Sequence, residues 1–312
     1  MDRASAWILN FDADEELARP AGYTPRRAVA DRAPELAGRV LALLRPGDVV
    51  LSPELPSPLV PPAPPGIAFV GRAWCPTPRA RRLLGRAGVT PAEAPPLDVL
   101  RRVNHRKFCA DLGQTLPGAC YVTTLAELDA AVAEPTPSGH WLLKRPFGFA
   151  GRGRRRVARG ALPPDVRPWA VASLAPAPAS AGGPGGPGGG LQVEPWVERR
   201  GDFSLHGHVA RGGVVRLGAP CVQRCDAHGA YLGADRAGEG ELEGEERRRL
   251  VEAALAAGHA LAGAGYFGPF GIDAFRWEDE RGGLRWNPRC EINARYTMAW
   301  AIGMGDVRPD LE

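Results

Sequence analysis

The sequence predicts a mixed α+β and α/β chain, in which a small N-terminal α/β layer precedes antiparallel sheets. Three observations carry that reading. Strand, helix and strand patterns follow one another through residues 6–71. Two strand-like runs flank a glycine-rich stretch in "HWLLKRPFGFAGRGRRRVAR" (140–159). Near the end, "FGPFGIDAFRWEDERGGLRWNPRCEINARY" (267–296) reads as two strands joined at a Gly-Gly turn.

The elements follow in order. "AWILNF" (6–11), "DVVLS" (48–52) and "IAFVG" (67–71) are short apolar runs that predict buried strands. Between the first two, "RAPELAGRVLALLRPGD" has helical spacing and stops at Pro-Gly. "TPRARRLLGRAGV" predicts a helix capped by Thr77, with Pro78 at its first position. The stretches 53–65 and 91–97 are rich in proline and predict loops. In "NHRKFCADLGQTLPGACYV", Asn104 is the candidate cap of a short helix, and a strand follows the Pro-Gly break. "TLAELDAAVAE" predicts a helix capped by Thr123 or Thr124. Residues 175–190 are a Gly/Pro tract without core-forming side chains, which reads as a surface insertion. "LQVEPWV", "DFSLHGHVA" and "VVRLGAP" then predict successive antiparallel strands. Residues 244–265 give the clearest helix, with Leu250, Val251, Ala254, Leu255, Leu261, Ala262 and Gly258 on one stripe. These readings divide the chain into an N-terminal α/β part (1–103), a small subdomain (104–190) and a C-terminal subdomain (191–312).

Composition narrows the function classes. A formal charge of +4 is too small to imply a nucleic-acid partner by itself. Arginines at 152 and 154–156 have no interleaved aromatic residues in sequence, so no nucleic-acid partner is expected. No run of about 18 apolar residues predicts a membrane span, and no secretory signal is read at the N-terminus. Six scattered cysteines read as reduced thiols of a cytoplasmic protein. Cys221, Cys225 and His228 form a C-x3-C-x2-H group, which lacks a fourth zinc ligand. The oligomeric state is left open, a homodimer included.

Lysine usage is the informative anomaly. Of 39 Lys and Arg residues, only Lys107 and Lys144 are lysines. An ammonium is a compact point charge, whereas a guanidinium is a wide planar fork. Two positions that remain Lys in so Arg-rich a chain are candidates for sites that require the compact charge.

The chemistry-bearing residues fall in a definite order. Lys107 comes first, then Lys144 at a strand end, then the glycines Gly148, Gly151 and Gly153. Glycines let backbone N–H groups approach phosphate oxygens. Asp273 lies on the penultimate strand, and Glu291, Asn293 and Arg295 alternate on the last. Alternate positions share a face of a strand, so these groups project side by side. Such alternation also suits an ordinary exposed sheet face. Two carboxylates and an amide oxygen are hard donors of the kind that Mg²⁺ or Mn²⁺ takes. Arg295 has the fork geometry that holds a carboxylate or acyl-phosphate.

In this ordered set, residues 104–300 resemble the ATP-grasp superfamily, which includes D-alanine–D-alanine ligase, biotin carboxylase and glutathione synthetase. The resemblance implies an ATP-grasp fold with a preceding N-terminal α/β domain. It implies that Lys107 and Lys144 contact ATP phosphates beneath the "GFAGRG" loop. "VEPWVERRGDF" resembles the hinge that reads adenine through backbone groups from Glu194 to Val197, with Asp202 on the ribose hydroxyls. "GIDAF" and "EIN" resemble the metal motifs, which gives Asp273, Glu291 and Asn293. "E-x-N-x-R" is similar to the carboxylase branch and places Arg295 beside the reacting phosphate.

The function so implied is an ATP- and Mg²⁺-dependent ligase that joins a small carboxylate to an amine or thiol through an acyl-phosphate. A kinase on the same fold and a nucleotide-binding scaffold without turnover are the alternatives. Residues 219–233 are the expected acceptor side, with Arg224, Asp226, His228 and Tyr231 as candidate contacts or as parts of an ordinary polar loop. His105, a candidate general base beside Lys107, reads rather as part of a solvated helix turn, and Asp12, Asp14, Glu15 and Glu16, which could bind a cationic substrate, read rather as a solvated acidic loop end.

Overall fold

The computed structural model describes residues 4–27, 31–51, 69–148, 153–175, 189–226 and 231–312. The N-terminal layer contains β1 (Ser5–Ile8), α1 (Ala13–Ala18), α2 (Ala33–Arg39), β2 (Val49–Val50), β3 (Val70–Ala73), α3 (Pro78–Arg86) and α4 (Leu97–Val103). Its strands run parallel in the order β2-β1-β3. Parallel strands need crossovers, and α2 supplies the first. Thr77 caps α3 as the sequence predicts, its hydroxyl accepting from the Ala80 N–H. The proline-rich stretch 53–65, like Gly151 and His228, lies outside the described residues.

The next unit contains α5 (Arg106–Asp111), β4 (Cys120–Val122), α6 (Leu125–Ala133), β5 (His140–Lys144), β6 (Arg154–Ala158), α7 (Arg167–Leu174) and β7 (Leu191–Pro195). Its antiparallel sheet has the order β4-β7-β5-β6. Thr124 and Glu127 form a reciprocal capping box that starts α6. This sheet and helices α6 and α7 enclose their own core around Leu128, Trp141, Leu143, Ala170 and Val193. The exposed edge strand β6 finds its aromatic partners through the tertiary fold. Arg145 and Arg155 stack on Trp169 at 5.0 and 5.4 Å, and Arg156 stacks on Trp196 at 4.5 Å.

The remaining elements are β8 (Glu198–Val209), β9 (Val215–Leu217), β10 (Cys221–Cys225), β11 (Tyr231–Arg236), α8 (Gly244–Gly263), β12 (Gly268–Glu278), β13 (Leu284–Asn293) and α9 (Trp300–Met304). They build a six-stranded antiparallel sheet with the order β11-β10-β8-β12-β13, and β9 pairs with β8. Helix α8 lies against this sheet through Leu250, Ala254, Ala257, Gly258 and Leu261, all buried. Gly258 permits the approach: a Cβ there would meet Val215 Cγ1 at 2.6 Å and Phe270 Cζ at 3.2 Å.

One core joins the large sheet to the N-terminal layer. Trp7 meets Tyr296 edge-on with ring centroids 5.2 Å apart, and Tyr296 meets Trp300 at 5.0 Å. Two polar expectations change with burial. His105, not Asn104, caps α5, and it is buried beside Phe147 and Tyr121. Asn104 instead clamps α4 to the end of β13, accepting from the Ala294 N–H at 2.9 Å and donating to the Leu100 carbonyl. Asp12, Asp14 and Glu16 are buried rather than solvated, with Tyr23, Arg295 and Thr77 as respective partners.

Candidate active site

The β12–β13 hairpin sets the site's register. Asp273 stands directly opposite Glu291, and Gly271 opposite Asn293. The intervening Ile292 turns into the core, so Glu291 and Asn293 share the other face. The Asn293 Nδ2 donates to the Asp273 Oδ2 at 3.2 Å, and the Gln223 Nε2 donates to its Oδ1 at 2.9 Å. Burial, then the neighbouring Glu291 charge, pushes the Asp273 carboxyl up to about 6. Burial opposes ionisation of Glu291 as well, but Arg106, Lys144, Arg295 and Arg199 together hold its carboxyl below the usual range. Arg106 makes the direct contact at 2.8 Å.

Lys144 closes β5 beneath the glycine turn. Its ammonium meets the buried Glu194 carboxylate of β7 at 2.6 Å, and Gln192 donates to the other carboxylate oxygen at 2.8 Å. Gly153 has φ +76°, a conformation that a side chain rarely accepts. Its carbonyl accepts from the Arg145 N–H at 2.8 Å and closes the turn after Lys144. Gly148, Gly153, Lys144, Arg106, Asp202, Asp273, Glu291, Asn293 and Arg295 line one polar cavity of about 240 Å³. Asp202 pairs there with Arg199 at 2.8 Å.

Lys107 stands apart from this group. Its half-exposed ammonium binds both oxygens of Asp111, one turn along α5, and it is not among the residues lining the cavity. The helix explains the exchange: Arg106 lies about 100° around the axis and points inward instead. Val197 also lies off the cavity, against the small cluster of Leu116, Phe275 and Trp277. The Glu194 side chain is engaged by Lys144, which leaves its backbone as the part free of that pair.

Arg295 follows the end of β13 and is held by Asp14 of α1 through two donors, Nη2 at 2.6 Å and Nε at 3.4 Å. Burial works against the Arg295 charge, but Asp14 outweighs it and holds the guanidinium above its ordinary range.

A second cavity of about 250 Å³ adjoins the first and shares Gln223, Cys225, Asp273, Asn293 and Arg295 with it. On the expected acceptor side, Tyr231 lines this cavity, whereas Arg224 pairs with Asp235 at the exposed surface. Residues 221–225 are a strand, so Gln223 and Cys225 face inward and Arg224 faces away. The alternation was readable in "CVQRC" once a strand was assigned, as was the proximity of Arg106 to Lys107. Asp14 and Arg199 carry no such local signal. Among the described residues, no group of three or more His, Cys, Asp and Glu side chains is arranged to hold a metal. The set here is two carboxylates and an amide. Two like charges face each other in a half-buried position, a donor set that a hard divalent cation fits.

No family model and no curated protein matches the chain. Solved structures do. Pyruvate carboxylase from Rhizobium etli with acetyl coenzyme A is similar at TM-score 0.53 and 16% identity, over 97% of this chain and 27% of that one. Carboxyaminoimidazole ribonucleotide synthase from Aspergillus clavatus, complexed with ATP, is similar at TM-score 0.50 and 16% identity, over 95% and 71%. Biotin carboxylase from Campylobacter jejuni is more distant, at TM-score 0.48 and 17% identity, over 72% and 48%. The chain thus spans about half the length of that biotin carboxylase and about a quarter of the pyruvate carboxylase. The three-sheet architecture, the glycine turn after Lys144 and the likeness to the first two structures agree: the chain has the ATP-grasp fold.

Proposed function

We propose that the protein is an ATP- and Mg²⁺-dependent ligase that activates a small carboxylate as an acyl-phosphate for attack by an amine, or less readily a thiol. The observation that carries this reading is the pair of adjoining cavities that share Asp273, Asn293 and Arg295. One is polar and bounded by Lys144 and the glycine turn; the other reaches into apolar surroundings. A phosphoryl donor and an organic acceptor would meet at that shared wall.

The residues take the following roles. Lys144 neutralises phosphate charge from below, and Arg106 takes the place that Lys107 was expected to fill. Gly148 and Gly153 let the backbone close over the phosphates, and Gly151 would complete that loop. Glu194 and Val197 would hold adenine through backbone groups, and Asp202 would receive the ribose hydroxyls. Asp273, Glu291 and Asn293 would hold the divalent ion, which supplies charge neutralisation to the phosphates when bound. Arg295, oriented by Asp14, donates two parallel hydrogen bonds to the carboxylate or acyl-phosphate oxygens. The glycine turn excludes water that would hydrolyse the mixed anhydride. Catalysis then rests on positioning and preorganised charge, without a covalent enzyme nucleophile.

A cavity of about 240 Å³ is tight for a nucleotide, since ligand clefts span about 300–1,000 Å³. The Lys144–Glu194 and Arg199–Asp202 pairs occupy the space, so binding requires those pairs to exchange partners.

The test is phosphate release from ATP and Mg²⁺ with the purified chain and paired pools of small carboxylates and amines. Release that requires both pools supports the ligase. A stable phosphorylated product formed from one substrate alone would make the protein a kinase.

A further inference from the structure

We infer that the organic substrate of the second cavity is an amphipathic dianion: a reacting carboxylate, a compact apolar body, and a second anionic group that Arg32 and Arg39 read at the far end. The inference rests on the ligase reading and names the substrate class of the same site.

Chemistry along the cavity is asymmetric. The end shared with the polar cavity carries Asp273, Asn293 and Arg295. Phe11, Leu36, Trp74 and Met298, apolar side chains from both the N-terminal layer and the segment after β13, line this cavity and not the polar one. Arg32 and Arg39 likewise line only this cavity. Both approach one carboxylate, Glu35, at 3.6 and 2.5 Å, so two guanidinium groups share a single negative charge. Arg295, by contrast, is matched by its own buried partner, Asp14. Asp273 is the sole carboxylate among the described residues lining this cavity, and it belongs to the wall shared with the polar cavity, which Arg32 and Arg39 do not line. The surplus positive charge therefore lies at the Arg32–Arg39 end.

Arg39 is also fixed in direction. It donates to the Tyr231 carbonyl as well as to Glu35, which ties α2 to β11 across the cavity. A guanidinium fork held in this way favours a planar or tetrahedral oxyanion. His206 does not disturb this charge balance. Ser204 and Thr297 engage both its ring nitrogens, and burial holds it neutral. The volume, about 250 Å³, falls below the usual range for larger ligands and suits a body of about one ring or one branched chain.

The distal anion is a carboxylate or a phosphate, since either suits the arginine fork. Isothermal titration of the full chain without nucleotide distinguishes them with three probes: 3-phenylpropionate, 4-(2-carboxyethyl)benzoate and 3-(4-phosphonophenyl)propionate. The expected result is that one or both dianions bind about tenfold tighter than the monoanion. Arg32→Gln and Arg39→Gln should each reduce that ratio, and Arg39→Lys should restore part of it. Binding of 3-phenylpropionate should change little in the Arg32→Gln protein, which keeps the α2–β11 tie. Equal affinity for all three probes, binding of none, or a preference that survives both Gln variants overturns the inference. Because the titration needs no ATP, absent phosphate release with an intact dianion preference sinks the ligase reading alone. Ligase turnover on monocarboxylates without that preference sinks this one alone.

Discussion

The two lysines have opposite fates. Lys144 is buried against Glu194 at the floor of the polar cavity, whereas Lys107 is tied to Asp111 at the surface. Their rarity marked both residues, but only Lys144 lines the polar cavity. Lys144→Arg is expected to fold and to lower kcat/KM for ATP by about 10–100-fold, or about 1.4–2.7 kcal/mol of transition-state binding. Unaltered turnover in that variant would refute a phosphate role for Lys144. Asp14→Asn removes the buried counter-charge of Arg295, whose side chain is only 14% exposed, and is expected to cost about 3–5 kcal/mol in chemical denaturation. His206 makes a pH prediction. Burial lowers its pKa from 6.5 to about 3, so between those values the unfolded chain binds the extra proton. Its contribution to stability is complete above pH 6.5 and is lost as pH falls toward 3, at about 1.4 kcal/mol per pH unit at most. Urea midpoints of His206→Gln should show a shallower fall over that window than those of the unaltered chain.

Elements with strong local signals formed where the sequence placed them. The cap at Thr77, the box at Thr124 and Glu127, and the long helix 244–263 are all set by interactions within a few residues. Strands β10 and β11 were instead expected as acceptor-side polar residues, because "CVQRC" and its partner lack an apolar run. Their pairing with each other and with β8 makes them strands. Helix α8 offers the test at this scale. Gly258→Val should destabilise by about 1–3 kcal/mol, because the new side chain enters space held by the stiff Val215 and by Phe270. A urea midpoint equal to that of the unaltered chain would show that α8 does not lie this close to the sheet.

At the scale of the molecule, the walls of the two adjoining cavities come from three parts of the chain. Phe11, Leu36 and Trp74 belong to the N-terminal layer, Lys144 to the small sheet, and Asp273 and Glu291 to the large one. Nucleotide that bridges these parts should stabilise the whole fold. At about 100 times its Kd, Mg²⁺–ATP is expected to add about 2.7 kcal/mol. Differential scanning fluorimetry should register this as an upward shift in Tm of several degrees. Glu291→Gln should diminish the shift seen with Mg²⁺ more than that seen with ATP alone.

The sequence by itself determined the class of fold and the alternation of Glu291 and Asn293, because strand periodicity and short-range caps are local properties. It also ordered Lys144, the glycine turn and the carboxylates along the chain. Tertiary structure alone decided which of Arg106 and Lys107 turns inward, that Asp14 holds Arg295, and that Arg32 and Arg39 line the second cavity beside Phe11, Leu36 and Trp74. Those outcomes depend on long-range packing and charge burial, which join residues as far apart as 14 and 295 and leave no periodic trace in the chain.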